Sequence, residues 1–111
     1  MARVQVGERV GVILDSDVDQ VRLLGYGVFD GDQPCPHGPF GMTAAELEEM
    51  KKSGLVPADF VYMNPRITLD NGDHAWGNQT WWGREAAVKE YIGNRKVINV
   101  RIVDGEAVEV A

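Results

Sequence analysis

The residues best suited to contact a ligand lie between Asn71 and Gly83, in the run NGDHAWGNQTWWG. This run holds all three tryptophans of the chain together with Asn78 and Thr80, whose amide and hydroxyl groups donate and accept hydrogen bonds. Aromatic rings stack on planar ligands, and polar groups between them read the ligand's edge, as in sites for nucleobases and sugars. We therefore predict a ligand-binding surface in this run.

A β-hairpin predicts how these side chains divide between two faces. The pair Asn71-Gly72 favours a type I′ turn, because that turn requires positive φ at both central residues. A two-residue loop would pair Ile67 with Trp76, and directly paired residues share a face. One face would then carry Ile67, Leu69, His74, Trp76, Asn78, Thr80 and Trp82. The opposite face would carry Trp81.

Two interpretations of the first face stay open. The tryptophans could line a ligand pocket in which Asn78 reads the ligand. Alternatively, they pack in the core and Asn78 satisfies a buried backbone group, since tryptophans at alternate strand positions are usually packing residues. The glycines on both sides of Tyr26 would allow another backbone or a ligand to approach that strand closely.

Arginines that flank predicted strand or helix ends are candidates for an anionic group of the ligand: Arg66, Arg84, Arg95 and Arg101. Arg95 follows Gly93-Asn94, where backbone amides could assist its guanidinium. The alternative is a helix C-terminal cation that complements the macrodipole. The complete predicted ligand-binding set is Tyr26, Phe29, Arg66, Trp76, Asn78, Trp82 and Arg95.

The remaining chemistry-bearing residues predict neither a metal site nor a cofactor. Cys35, the single cysteine, cannot form an internal disulfide, and with His37 and His74 it lacks zinc-ligand spacing. An enzyme hypothesis would depend on Cys35, His37 and Asp32, and no third group that would orient the histidine is evident. Asp15 to Asp19 imitates the start of an EF-hand loop, but Gln20 replaces the required glycine, so a solvated turn is expected.

Composition excludes other functions. A net charge of −6 and a pI of about 4.8 argue against binding long nucleic acids, which needs clustered Lys and Arg. No apolar run reaches the ~18 residues of a membrane-spanning helix, and the start lacks the apolar core of a signal peptide. We therefore expect a soluble cytoplasmic protein without a membrane partner.

The elements that must position these residues follow from periodicity and turn signals. We predict strands over 3–14 and 21–29, a loop over 30–41, and a helix from Ala44 to Ser53 with a Thr43–Glu46 capping box. A hairpin about Asn71-Gly72, a helix over 84–92 and a last hairpin about Asp104-Gly105 follow. The expected fold is α+β, with a mainly antiparallel sheet or partly open small barrel of about six strands and two short helices. One domain would span residues 1–111.

Three segments carry a resemblance to a known family: LGYGVFDGD (24–32), NPRITLDNG (64–72) and WGNQTWWG (76–83). They resemble small proteins of phages and prophages, and the chain is similar to the phage anti-Thoeris sponge family, also called Thoeris anti-defence one. The resemblance covers about half of the chain, and no binding residue is transferred from the family to a position here.

The resemblance implies a non-enzymatic homo-oligomer that sequesters cyclic nucleotide immune signals, such as cyclic ADP-ribose isomers or cyclic dinucleotides, in the host cytoplasm. The alternative is a small phage structural or adaptor module, which binds a protein partner or its own copies through the aromatic surface.

Overall fold

The computed structural model describes residues 3–39 and 41–110. Within them the elements are, in chain order, β1 (Arg9–Ser16), β2 (Gln20–Cys35), α1 (Ala44–Lys52), β3 (Tyr62–Leu69), β4 (His74–Trp76), a 3₁₀ helix (Gly77–Gln79), β5 (Trp81–Arg84), α2 (Glu85–Ile92), β6 (Lys96–Val103) and β7 (Glu106–Glu109). The predicted α+β fold with a mainly antiparallel sheet and two short helices is confirmed. The sheet is open. Neither described helix is long and apolar enough to cross a membrane.

The chain forms two compact units. One contains residues 3–31 and 65–110, and the other contains residues 32–64, including α1. The single domain expected over 1–111 stays a prediction.

The main sheet has the strand order β4-β3-β2-β1-β5, and β6 joins it by a short parallel pairing with β2. Because successive residues of a strand face opposite sides of the sheet, Val10 and Val12 of β1 lie on one face and Gly11 on the other. On the first face a buried cluster forms from Val10, Val12, Ile67, Leu69 and Ala75. On the second face a cluster that includes α2 forms from Ile13, Val21, Leu23, Val88 and Ile92.

Strands β1 and β2 differ from their predicted bounds. The chain turns at Gly7, whose φ is +94°, so β1 begins at Arg9 rather than at residue 3. The prolines and glycines of 30–41 predicted a loop, but β2 continues to Cys35. Within this longer strand the Asp30 carboxylate accepts hydrogen bonds from the Arg66 and Thr68 side chains of β3.

Close backbone approach explains Gly27. A Cβ there would lie 2.7 Å from the Leu69 Cα and closer still to the Thr68 carbonyl oxygen. The expectation that another backbone approaches β2 at this point is therefore confirmed, and the approaching backbone belongs to β3.

Helix α1 begins as predicted. The Thr43 hydroxyl accepts from the Glu46 N–H at 3.1 Å, and the Glu46 carboxylate accepts from the Thr43 N–H at 3.4 Å, which completes the capping box. Leu47 is its buried residue, and Gly54, with φ of +78°, follows the C-cap in the left-handed region.

The register predicted for the β3–β4 hairpin is wrong by one residue. Among the described residues Asp104 is the only non-glycine with positive φ, so Asn71 cannot occupy a type I′ turn. Instead the Gly72 N–H donates to the Leu69 carbonyl, and Gly72 has φ of +92°, which gives a three-residue loop with a bulge. Asn71 Oδ1 stabilises this loop by accepting from the Asp73 N–H at 2.8 Å.

The slip moves every side chain of β4 to the other face. Ile67 pairs with Ala75, whereas Trp76 pairs with Arg66 and His74 pairs with Thr68. Trp76 therefore does not share a face with Ile67.

The last hairpin and the second helix are confirmed. Asp104 and Gly105 have φ of +52° and +81°, and the β6–β7 hairpin pairs Val103 with Glu106 across this type I′ turn. Helix α2 ends at Gly93, where φ is +57°.

Candidate binding surface

The predicted ligand-binding residues do not converge on one pocket. Phe29 and Trp82 stack with ring centroids 4.9 Å apart and an interplanar angle of 27°. Both rings pack against the cluster that contains Val10 and Ile67. Phe29 and Trp82 are thus partly buried and pack on this face of the sheet.

Arg66 and Trp76 lie on the outer face of β3 and β4, across from each other. The Arg66 guanidinium donates to Asp30 Oδ2 at 2.8 Å, and the Thr68 hydroxyl donates to the same oxygen at 2.6 Å. Burial opposes ionisation of Asp30 most strongly, but these two hydrogen bonds together hold the pKa of Asp30 below its ordinary value. Arg66 thus ties β3 to β2.

Asn78 does not lie between two tryptophans on a strand face. The chain leaves β4 after Trp76 and forms the 3₁₀ helix, in which Asn78 is exposed. Gly77 packs on Trp82, since a Cβ on Gly77 would lie 2.5 Å from the indole nitrogen. The predicted face of Trp76, Asn78 and Trp82 is therefore wrong, because a 3₁₀ turn replaces the continuous strand.

Tyr26 lies on the α2 side of the sheet. A Cβ on Gly11 would lie 2.9 Å from the Tyr26 ring and 2.8 Å from Val88 Cγ1, so glycine lets helix and ring approach β1. The Lys89 ammonium lies 5.3 Å from the centroid of the Tyr26 ring.

An exposed aromatic group occupies the same side. The rings of Trp81 and Tyr91 lie 4.3 Å apart, and the Arg95 guanidinium lies 4.4 Å from the Tyr91 centroid. Trp81 is 49% exposed and Tyr91 42% exposed. We call Trp81, Tyr91 and Arg95 the α2 aromatic surface.

Arg95 is held in place by backbone carbonyls. Its Nη1 donates to the Asp17 carbonyl at 3.0 Å, its Nε donates to the Ile92 carbonyl at 3.3 Å, and its Nη2 contacts the Tyr91 carbonyl. Arg95 is therefore a cation at the C-terminus of α2 that complements the helix macrodipole, and its guanidinium lies over the Tyr91 ring.

A polar depression adjoins the α2 aromatic surface. It has a volume of about 360 Å³ and is lined by Asp15, Ser16, Asp17, Gln20 and Arg22. The Ser16 hydroxyl and the Tyr91 hydroxyl lie 2.8 Å apart, which joins the depression to the aromatic rings. The depression is open to solvent, and its lining is mostly polar.

Hydrogen bonds hold the carboxylates of the depression in place. The hydrogen bond from Arg22 lowers the pKa of Asp15, and that side chain is exposed. Asp17 Oδ1 accepts from the N–H groups of Asp19 and Gln20 at 2.8 and 2.9 Å, so the turn is pinned by its own side chain. Such carboxylates accept hydrogen bonds from hydroxyl groups.

Sequence reasoning missed most of this site. It treated 15–19 as a solvated turn, gave Tyr91 no role beyond lying in the predicted helix over 84–92, and named only Trp81 and Arg95. The available signal was the Trp81-Trp82 pair, because alternation in a strand requires that one of the two rings leave the core.

The side chains of Cys35 and His37 lie within contact distance of each other. Cys35 Sγ is 3.2 Å from His37 Nδ1 and 3.1 Å from Nε2, and the buried Asn64 amide donates to Sγ at 3.8 Å. A sulfur equidistant from both nitrogens lies away from the in-plane lone-pair direction of either. Burial lowers the pKa of His37. The directed thiol-to-imidazole hydrogen bond used by nucleophilic cysteines is therefore not formed.

Five arginines of the described chain form ion pairs with carboxylates. Ion pairs join Arg9 to Asp70, Arg22 to Asp15, Arg66 to Asp30, Arg84 to Glu8 and Arg101 to Asp73. Residues 3–39 and 41–110 contain no group of three His, Cys, Asp or Glu side chains that could hold a metal ion.

Fold and surface together define a sheet-dominated α+β protein with an exposed aromatic surface beside a polar depression. No family model matches the chain, and comparisons with curated proteins and with solved structures found no match.

Proposed function

We propose that this protein is a non-enzymatic sponge that binds and sequesters cyclic nucleotide immune signals, such as cyclic ADP-ribose isomers or cyclic dinucleotides. It would thereby inhibit a Thoeris-type anti-phage defence in the host cytoplasm. The resemblance of the three segments described above supports the nature of the ligand. It also implies a homo-oligomer, which forms part of the proposal.

The observation that carries the proposal is the α2 aromatic surface. Its Trp81 and Tyr91 rings lie 4.3 Å apart with a guanidinium 4.4 Å from Tyr91, and both rings are partly open to solvent. Any nucleobase can stack on an exposed aromatic side chain, and this stacking contributes about 1–3 kcal/mol of binding free energy per base. A base would therefore bind against Trp81.

The polar depression would receive the rest of a nucleotide. Asp15 and Asp17 accept hydrogen bonds, which suits ribose hydroxyls. Arg22 and Arg95 are the nearby cations for a phosphate, and guanidinium groups bind phosphate oxygens in pairs. Because Arg22 already pairs with Asp15, the phosphate would compete with that carboxylate.

Calorimetry tests the proposal with cyclic ADP-ribose isomers and cyclic dinucleotides as titrants. We expect saturable binding that Trp81→Ala weakens by about tenfold or more, in line with the loss of one stacked base. Leu55→Ala removes an exposed apolar side chain in the other unit and serves as the control, with unchanged affinity.

The fate of the ligand tests the non-enzymatic part. Chromatography of the ligand released by heat should recover it intact. A cleaved product would show that the protein is an enzyme, and Cys35→Ser would then reveal whether the thiol takes part. Failure of every cyclic nucleotide to bind would overturn the sponge proposal.

A second candidate is a structural or adaptor module. Tyrosine, tryptophan and arginine dominate the binding energy of protein interfaces, and the α2 aromatic surface contains one of each. Under this candidate Trp81→Ala would change the assembly mass measured by light scattering, and all nucleotide titrations would be silent.

A further inference from the structure

The loop at the tip of the β3–β4 hairpin contains an asparagine followed by a glycine, Asn71-Gly72, and both residues are exposed. The chain has five asparagines, and the other four precede proline, glutamine, arginine and valine. Of these, Asn64 is buried, and the Pro65 that follows it has no N–H. Because glycine has no side chain that shields its nitrogen, Gly72 provides the least hindered main-chain nitrogen next to any asparagine of the chain.

The side chain of Asn71 folds back over its own main chain. Asn71 Oδ1 accepts from the Asp73 N–H at 2.8 Å, and Asn71 Nδ2 donates to Asp73 Oδ2 at 3.4 Å. The ring of atoms closed by the first hydrogen bond contains both Asn71 Cγ and the Gly72 nitrogen. The folded loop therefore holds an electrophilic amide carbon close to a main-chain nitrogen.

We propose that Asn71 is a covalent modification site, which reacts first with the main chain of its own loop and then with water. The Gly72 nitrogen loses its proton to a base in solution and attacks Asn71 Cγ. The bond between Cγ and Nδ2 breaks, and Nδ2 takes up a proton and leaves as ammonia. Water then adds to one of the two carbonyl carbons of the five-membered imide. Cleavage of the bond between nitrogen and Cγ yields aspartate at position 71, and cleavage of the bond between nitrogen and the main-chain carbonyl carbon yields isoaspartate.

Two contacts of the loop act on the first step in opposite directions. The Asp73 N–H that donates to Oδ1 stabilises the negative charge that develops on this oxygen during the attack. The Gly72 N–H donates to the Leu69 carbonyl at 2.9 Å, and this hydrogen bond has to open before the nitrogen can lose its proton. Exposed loops open locally at a free-energy cost far below that of global unfolding. We therefore expect the folded chain to react at a rate within several-fold of that of the unfolded chain.

The two products affect the hairpin differently. Aspartate keeps a side-chain oxygen that can accept from the Asp73 N–H, so the loop can keep its conformation. Isoaspartate continues the main chain through Cγ and lengthens it by one atom, within the loop that sets the register of β4. The longer loop would also displace Asp73, which accepts from Arg101 of β6 at 2.8 and 2.9 Å. Isoaspartate should therefore destabilise the hairpin, whereas aspartate should have little effect.

Peptide mapping by mass spectrometry tests the site on the folded full chain after incubation in mildly alkaline buffer. The peptide that contains residue 71 should gain the mass difference between O and NH, and an equal amount of ammonia should appear in solution. The rate should rise in proportion to hydroxide concentration, because the attacking nitrogen is deprotonated first. Electron-transfer fragmentation should detect both aspartate and isoaspartate at this position.

Two controls make the test specific to Asn71. Asn71→Gln keeps a side-chain amide but would have to form a six-membered imide, so ammonia release should nearly stop. The exposed turn Asp104-Gly105 also has a glycine with positive φ but no amide to lose, so its peptide should keep its mass. Continued ammonia release from Asn71→Gln, or a mass gain at another asparagine in place of Asn71, would overturn the proposal.

Comparison of the folded chain with the chain unfolded in urea tests the contribution of the loop. Comparable rates in the two states would support the proposal. If Asn71 reacts in urea but stays intact in native buffer, the fold protects it and the proposal fails. Neither measurement involves a nucleotide or the α2 aromatic surface, so the outcome is independent of the proposed function.

Asn71→Asp separates the effect of charge from the effect of a longer main chain. This variant carries the charge of the products without the additional main-chain atom. Urea denaturation of the isoaspartate form, separated by chromatography, should show a lower stability than that of both the wild type and Asn71→Asp. Equal stability of all three proteins would contradict the proposed effect on the hairpin.

Discussion

Trp81 and Trp82 are neighbours in β5, yet they have opposite surroundings. Trp82 stacks on Phe29 and packs against the buried cluster that contains Val10 and Val12. In the pairing of β5 with β1, Trp82 lies directly opposite Val12. Trp81 points to the α2 side and keeps about half of its surface exposed. Because strand alternation alone separates them, residue type says little about which ring stabilises the fold and which contacts a partner.

The largest expected difference in stability is between the variants in which Trp82 or Trp81 is replaced by alanine. Trp82→Ala should lower the free energy of unfolding by about 3–5 kcal/mol, since it leaves a cavity beside Phe29. Trp81→Ala should change it by less than about 1 kcal/mol, as for surface substitutions. Urea denaturation followed by circular dichroism measures both. Equal losses would show that the two faces are energetically alike.

Adding a methyl group probes the α2 side of the sheet. Gly11→Ala places a Cβ 2.8 Å from Val88 and should cost about 1–3 kcal/mol of stability through overpacking. Gly83 pairs directly with Gly11, but a Cβ there meets nothing within 4 Å. Gly83→Ala should therefore be close to neutral in the same denaturation experiment, and a cost as large as that of Gly11→Ala would contradict the packing described.

Phe29 and Asp30 are also neighbours in one strand, β2, with side chains on opposite faces. Asp30, on the outer face, should make the stability of the protein depend on pH. The pKa of Asp30 lies below its ordinary value of 3.8 in the folded protein. The stability it contributes is present above the unfolded pKa and is lost as pH falls through the folded pKa. Asp30→Asn should therefore flatten the loss of melting temperature between about pH 5 and pH 2.

The matched change is Asp32→Asn, an exposed carboxyl residue of the same strand. Its acid profile should follow that of the wild type. Identical flattening by both substitutions would mean that the contacts of Asp30 with Arg66 and Thr68 carry no particular stability.

The smallest effect is expected at the exposed ion pair of Arg9 and Asp70, whose nitrogen–oxygen distances are 2.7 and 2.8 Å. Both side chains are largely open to solvent, so screening and side-chain entropy offset the attraction. Asp70→Asn should leave the melting temperature nearly unchanged at physiological salt. A loss comparable to that of Gly11→Ala would place this pair among the stabilising contacts.

Local signals predicted much of the fold. The capping box at Thr43, the turn at Asp104-Gly105 and the end of α2 at Gly93 each depend on residues close in the chain. These elements formed as predicted because their hydrogen bonds are local.

The predicted ligand face failed for a non-local reason. Asn71-Gly72 allows both a two-residue and a three-residue loop, and the Asp70 N–H donates to the Tyr26 carbonyl of another strand at 2.9 Å. That contact, together with the Asn71 side chain, accompanies the three-residue loop and reverses the faces of β4. The Asn71 contact is local, but a turn motif read alone does not contain the contact between Asp70 and Tyr26.

By itself the sequence determined the α+β class, the helix ends and the opposition of Trp81 to Trp82, because periodicity and short-range hydrogen bonding act within a few residues. The tertiary structure alone decided that Phe29 and Trp82 stack against the buried cluster, that Arg66 is tied to Asp30, and that Tyr91 meets Trp81. Those contacts join residues far apart in the chain, so they depend on strand order and register rather than on any local pattern.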